Sequence, residues 1–381
     1  MCEHWLAART RAFDASGIRK VFDLGAKLRD PINLSIGQPD FDAPEAVRRA
    51  AVEAIQSRKN GYALSQGMPV LRDRLQAEID RQYGHADREV FVTSGTSGGI
   101  MLAMLVLLNP GDEAIVFDPY FVMYDALAAV AGARPVYVDT YPDFRIEPER
   151  LRAAITPRTK MIVLNSPTNP TGAVATEAEV RMVAELAAER DVLLLSDEIY
   201  SRFCYDRPFV SPARFNPRTL VVDGFSKTYG VPGWRLGFAH GPAAVIREMI
   251  KLQQYSFVCA PHPLQWAGAA ALDVDPAPHI ADYHRKRDRI VAGLREHYEL
   301  VVPAGAFYLF PRLPWGSGME FVARAIEQYQ LLVIPGSVFS RRDTHFRISY
   351  AASDAGIERG IEALVKLAAE RGEGRDWGLG I

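Results

Sequence analysis

Residues 192–227 read VLLLSDEIYSRFCYDRPFVSPARFNPRTLVVDGFSK. Two short runs in it, VLLLS and TLVVDG, are apolar at successive rather than alternate positions, as strands buried on both faces of a parallel sheet are. Each gives way to polar residues at its carboxyl end, with Asp197 after the first and Lys227 after the second. Ligands of open α/β sheets bind beyond those ends, so an acid and a lysine delivered there already form a candidate site.

Working outward, five more runs share this character: EVFVTSG, EAIVFDPY, PVYVDT, KMIVLNSP and RLGFAHG. Ala- and Leu-rich helical stretches alternate with them, the pattern of a mostly parallel sheet covered by helices on both faces. A charged helical stretch over about 281–297 is expected to link this part to the carboxy-terminal one. There YELVVPAGAFYLFPRLP and LLVIPGSVF...HFRISYA read as strands flanking the helix FVARAIEQY, the make-up of a small α+β domain. The first forty or so residues are expected to pack with it, and the Gly-rich tail GEGRDWGLGI to be loosely ordered. A chain of 381 residues suits two domains.

Lys and Arg number 44 against 46 Asp and Glu, a balance that favours neither nucleic acid nor an anionic membrane as partner. The longest apolar run, Ile100 to Leu108, is about half the roughly 20 residues that span a bilayer. Three scattered cysteines suit neither a disulfide framework nor a metal site. The amino terminus has no signal-peptide pattern, so a cytoplasmic enzyme with a small-molecule substrate is expected.

A lysine at a strand end among apolar groups can lose its proton and form an imine with an aldehyde; alone, Lys227 is equally a solvated loop residue. Asp197 could pair with a protonated pyridine nitrogen or cap a helix. Asn169, between two Xaa-Pro pairs in SPTNPTG, presents an amide in a fixed direction, or is a turn residue. The loop TSGTSGG precedes an apolar helix whose amino terminus would favour a phosphate, with Gly95 allowing close approach and Thr96 and Ser97 adding donors. It has neither GxGxxG nor GK[ST] spacing, which argues against NAD and ATP. Phe121 in DPYFVMY could stack on a planar ring or belong to the core.

Together with SIGQPDF, YALSQGMPVLRD, FSKTYGVPGWRLG, GAFYLFP, PGSVF and FRISYA, these motifs resemble, over nearly the whole chain, the fold-type I pyridoxal-phosphate (PLP) enzymes, specifically the class I/II aminotransferases. The resemblance implies an α/β fold: a large domain over 45–283 with a mostly parallel seven-stranded sheet between helices, and a small α+β domain over 284–381 joined by the arm 1–44. It implies that PLP forms a Schiff base on Lys227, which also shuttles the substrate Cα proton. Asp197, Tyr200 and Asn169 would hold the ring, Phe121 would stack on it, and Arg235, Ser226 and the 95–97 loop would hold the phosphate. Tyr62 would reach the phosphate of the neighbouring subunit in a homodimer with shared sites. Arg347 would fork onto the substrate α-carboxylate, and Gly37 would lie against the substrate with its backbone.

The implied reaction is transfer of an amino group between an L-amino acid and a 2-oxo acid in two half-reactions. A carbon–sulfur β-lyase, or a biosynthetic enzyme acting at Cβ or Cγ, is the alternative on the same fold. Gly224 stands where some relatives have a phosphate-binding serine, leaving Ser226 or the 95–97 loop to compensate. Ser340 replaces a usual glycine and is followed by Arg341 and Arg342, which are either solvated or recognise an acidic side chain. Tyr255, Phe257 and His262 either make the pocket mouth bulky or pack in the core.

Overall fold

In the computed structural model, residues 3–18, 21, 25 and 28–370 are described; the tail over 372–381 lies outside them. Each of the seven runs forms a strand: β2 (Arg88–Ser94), β3 (Glu113–Asp118), β4 (Arg134–Asp139), β5 (Thr159–Asn165), β6 (Leu193–Asp197), β7 (Leu220–Gly224) and β8 (Leu236–Pro242), after a short β1 (Ile32–Asn33). They make one sheet in the order β2-β8-β7-β6-β5-β3-β4. The pairs from β7 through β4 are parallel, and β8 alone runs against both of its neighbours.

Burial explains the unbroken apolar runs. On β5, Met161 and Val163 enter one core cluster, while Ile162 and Leu164 enter another. Leu195 and Leu194 on β6 divide in the same way. Successive side chains point to opposite faces, so a strand covered on both sides must be apolar at every position. Helices supply both covers: Gly95–Leu107 and Ala243–Gln254 on the first face, Glu177–Glu189 on the second. The last begins at a capping box, Thr176 with Glu179.

Beyond this sheet, β9 (Tyr308–Leu309), β11 (Ile334–Pro335) and β12 (Phe346–Ser349) form an antiparallel sheet in the order β11-β12-β9, and β1 pairs in parallel with β10 (Leu331–Leu332). A separate core cluster unites β1, β9, β10 and β12 with the helices Gly318–Tyr329 and Asp354–Ala369. The amino-terminal segment thus packs with the carboxy-terminal part through β1. Pairing here is shorter than the apolar runs imply, because Pro303, Pro311 and Pro335 cannot donate to a ladder. The connecting helix spans Ala277–Leu294, four residues earlier at its start than expected and three earlier at its end, and is continuous across 283/284. Among the described residues no helix is long and apolar enough to cross a membrane.

Candidate active site

Strand register brings the first polar groups together. β5 and β6 pair with Asn165 opposite Asp197, at the edge where both strands end. Asn165 Nδ2 donates to the Asp197 backbone oxygen at 3.0 Å, and its Oδ1 accepts the Asn169 N–H at 3.0 Å, which pins the proline-stiffened loop to the sheet. Because β8 is antiparallel, it starts at this same edge: Leu236 pairs with Ser94, so Arg235 meets the end of β2. A cavity of about 260 Å³ lies there.

Asp197 is buried, and its carboxylate accepts the Tyr124 hydroxyl at 2.6 Å and the Ile199 N–H at 3.3 Å. Burial pushes its pKa up to about 6, opposed by those two bonds and by the charge of Lys227. The Tyr124 phenol is held well above its usual range, chiefly by burial, and so stays a donor. Lys227 projects into the cavity and donates to the Gly37 carbonyl at 2.6 Å. Burial lowers its amine to about 8, and the Arg347 and Arg235 charges push the same way. About a tenth of it is therefore neutral already at pH 7, far more than of a lysine at its ordinary value.

Arg347, on β12, is 1% exposed. Its Nη1 donates to Asn169 Oδ1 at 3.0 Å and its Nη2 to the Ser35 carbonyl at 2.5 Å. The guanidinium lies between the rings of Tyr308 and Phe339, 4.8 and 4.6 Å from their centroids. Its Nε has no partner among the described residues. These bonds go to neutral oxygens, so the guanidinium charge still calls for an anion. The Asn169 oxygen is taken by Arg347, which leaves the amide nitrogen as the donor end.

At the opposite end Gly95 opens the helix Gly95–Leu107 at φ +69°, and a Cβ on it would lie 2.5 Å from Arg235 Nη2. Thr96 and Ser97, in the first turn, line the cavity together with Ser226 and Arg235. Thr96 Oγ1 is buried and has no partner among the described residues, and a Cβ on Gly224 would sit 2.8 Å from it. Glycine at 224 therefore leaves that space to the threonine hydroxyl. A helix amino terminus, an arginine and an unpaired hydroxyl make a cradle for a phosphate. Phe121 and Tyr200 line the cavity between the two ends, and the Tyr200 and Tyr308 hydroxyls share a 2.7 Å bond.

Other residues singled out in the sequence do not line this cavity. Gly95 backs Arg235 rather than lining the cavity, and Tyr62 is 88% exposed outside it. Arg342 pairs with Asp139, Arg341 lies over the Tyr137 ring, and His262 bonds to the Gly61 carbonyl. Tyr255 is exposed, and Phe257 approaches the position of Gly98. Three polar wall residues are given no role by the motifs: Asn165, Tyr124 and Tyr308. Tyr124 lies in the first turn of the helix Val122–Val130, which Phe121 precedes as its N-cap.

The family model described as aminotransferase class I and II matches residues 29–364. An aspartate aminotransferase of Pyrococcus abyssi is 33% identical, over 96% of this chain and 99% of its own length. Aromatic-amino-acid aminotransferase 2 of Thermococcus litoralis is 34% identical, over 96% and 99%. The structure of the Thermus thermophilus aspartate aminotransferase with maleate superposes with a TM-score of 0.90 at 35% identity, covering 95% of this chain and 99% of that one. A match of this extent, on a fold whose sheet edge gathers an acid, a lysine and an arginine, leaves one assignment: the chain belongs to the class I and II aminotransferase family.

Proposed function

We propose that the protein transfers an amino group between an L-amino acid and a 2-oxo acid, with PLP linked through the Lys227 amine. The observation that carries this reading is the poise of Lys227, an amine near pKa 8 set between the buried Asp197 carboxylate and the Arg347 fork. The donor set fits the cofactor: a buried acid for a pyridinium nitrogen, and the orphaned Thr96 hydroxyl beside Arg235 at a helix amino terminus for a phosphate. When bound, PLP supplies an electron sink for the pair released from a substrate Cα–H bond.

The protein's part is placement and proton handling. Asp197 would pair with a protonated ring nitrogen, and Tyr124 holds that carboxylate in place. Asn169 and Tyr200 donate toward the ring oxygen, while Phe121 covers one ring face. Arg235, Thr96, Ser97 and Ser226 hold the phosphate, and Gly95 keeps room for Arg235. Arg347 would fix the substrate α-carboxylate, with the Gly37 backbone alongside, and so present the Cα–H bond to the Lys227 amine. The Lys227 amine would take the Cα proton and hand it back to the substrate side.

We further propose a cytoplasmic homodimer, divided into domains at 45–283 and at 1–44 with 284–381, in which Tyr62 completes the partner's phosphate site. The sparse free cysteines and the exposure of Tyr62 support this. The relatives named for aspartate and for aromatic amino acids leave the donor to a substrate panel.

Lys227→Ala tests the mechanism. Amino transfer should fall by at least about 10³-fold, the upper range of a lost acid–base group, and the borohydride-sensitive absorbance of the cofactor should vanish. Retained full activity would overturn the mechanism. In the parent protein, new amino acid should appear mole for mole with 2-oxo acid; ammonia and pyruvate released without an acceptor would overturn amino transfer itself.

A further inference from the structure

Phe121 reaches the cavity from the end of β3, whereas Arg347 arrives on β12 from the other sheet. The bonds that relate these two segments lie outside the cavity, where residues 339–342 cross the ends of β3 and β4. The Tyr120 N–H donates to the Phe339 carbonyl at 2.8 Å. The Arg341 N–H donates to Asp118 Oδ2 at 3.0 Å. The Tyr141 hydroxyl donates to Ser340 Oγ at 3.0 Å, and the same oxygen accepts the Arg342 N–H at 3.0 Å. At the rim Arg342 pairs with Asp139 at 2.6 Å.

These contacts are unequal. Asp118 and Ser340 are each 5% exposed, and a buried bond to a carboxylate is among the stronger ones a protein makes. Arg342 and Asp139 are roughly half exposed, where an ion pair contributes little. Phe339 links the patch to the site, since its carbonyl is held by Tyr120 and its ring covers one face of the Arg347 guanidinium. The aim of the fork therefore depends on where Phe339 is held, and Phe339 is held by the strand end that also carries Phe121.

We propose that Asp118 and Ser340 are positioning residues for substrate binding: they clasp the Phe339 segment to the ends of β3 and β4 and so fix the Arg347 fork relative to Phe121. The proposal rests on the reading of Arg347 as the carboxylate fork. Neither residue lines the cavity, and both act through backbone and aromatic neighbours.

The test is calorimetric titration of the holoenzyme with 3-phenylpropionate and 4-methylpentanoate, monocarboxylates that need no chemistry to bind. Asp118→Ala and Ser340→Ala should weaken the tighter of the two by about fivefold or more, the scale of one buried hydrogen bond lost. The amino-acid KM should rise by a similar factor, with kcat kept within about threefold and cofactor content unchanged. Asp118→Asn, which keeps an acceptor for the Arg341 N–H, should recover most of the affinity. Arg347→Ala separates the two readings. If it binds carboxylate like the parent, the fork reading fails. If it loses binding while Ser340→Ala and a folded Asp118→Ala bind like the parent, the clasp is overturned. Equal loss of cofactor and carboxylate affinity in the clasp variants would also overturn it, because that marks general loosening. Should Asp118→Ala not fold, Ser340→Ala decides alone.

Discussion

Asp197 is buried for a partner that the chain does not supply. Its carboxylate touches a phenol and an amide N–H, and burial raises its pKa to about 6 against an ordinary 3.8. Between those two values the unfolded chain is ionised while the folded chain keeps a proton, so each step up in pH costs the folded state. The penalty is complete above about pH 6 and on the order of 3 kcal/mol. Asp197→Asn removes the charge and still accepts from Tyr124. In cofactor-free protein it should raise the melting temperature by several degrees at pH 7.5, and the two curves should converge below about pH 4. Thermal melts of stripped protein across that range decide the matter, and an unchanged Tm at pH 7.5 would sink the argument. With cofactor the order should reverse, because the charge then has its partner.

At the level of elements, the helix Gly95–Leu107 and the reversed strand β8 make the phosphate end together. Gly95 and Arg235 both take positive φ, +69° and +53°, and they face each other. Gly95→Ala puts a methyl within 2.8 Å of the Arg235 Cζ and adds a left-handed residue costing about 1–2 kcal/mol. The variant should fold, melt lower, and bind PLP at least about tenfold more weakly; equilibrium titration of the apoprotein with PLP would show it. Strand ends were readable without the structure because burial on both faces leaves unbroken apolar runs, and Asp197, Lys227, Asn169 and Arg347 all follow or lie in such runs. Asn165 and Tyr308 were not, since each looks like part of its strand and matters only through register with β6 or contact with Tyr200. Arg341 and Arg342 remained ambiguous for a similar reason: charge alone does not reveal that Asp139 and the Tyr137 ring await them across the sheet edge.

On the scale of the whole molecule, exposed apolar side chains gather where two stretches of chain meet. Tyr62 and Tyr255 are 88% and 86% exposed, with Leu64, Phe257 and Val258 partly exposed near them in sequence. Bonds from Gln253 to the Ser65 carbonyl and from His262 to the Gly61 carbonyl join the two stretches into one face. Exposed apolar side chains of this kind suit a partner surface, and the homodimer proposed above would cover them with its own copy. If Tyr62 serves the partner's phosphate, a site draws Lys227 from one subunit and Tyr62 from the other. Homodimers of Tyr62→Ala should bind PLP poorly, and those of Lys227→Ala should be inactive. Unfolded together and refolded as a mixture, the two variants form hybrids with one fully native site. Random pairing should then restore about a quarter of the parent activity at limiting cofactor. If Tyr62 instead served its own subunit, every site in the mixture would carry a defect and refolding together would restore nothing, so the assay separates a shared site from a private one.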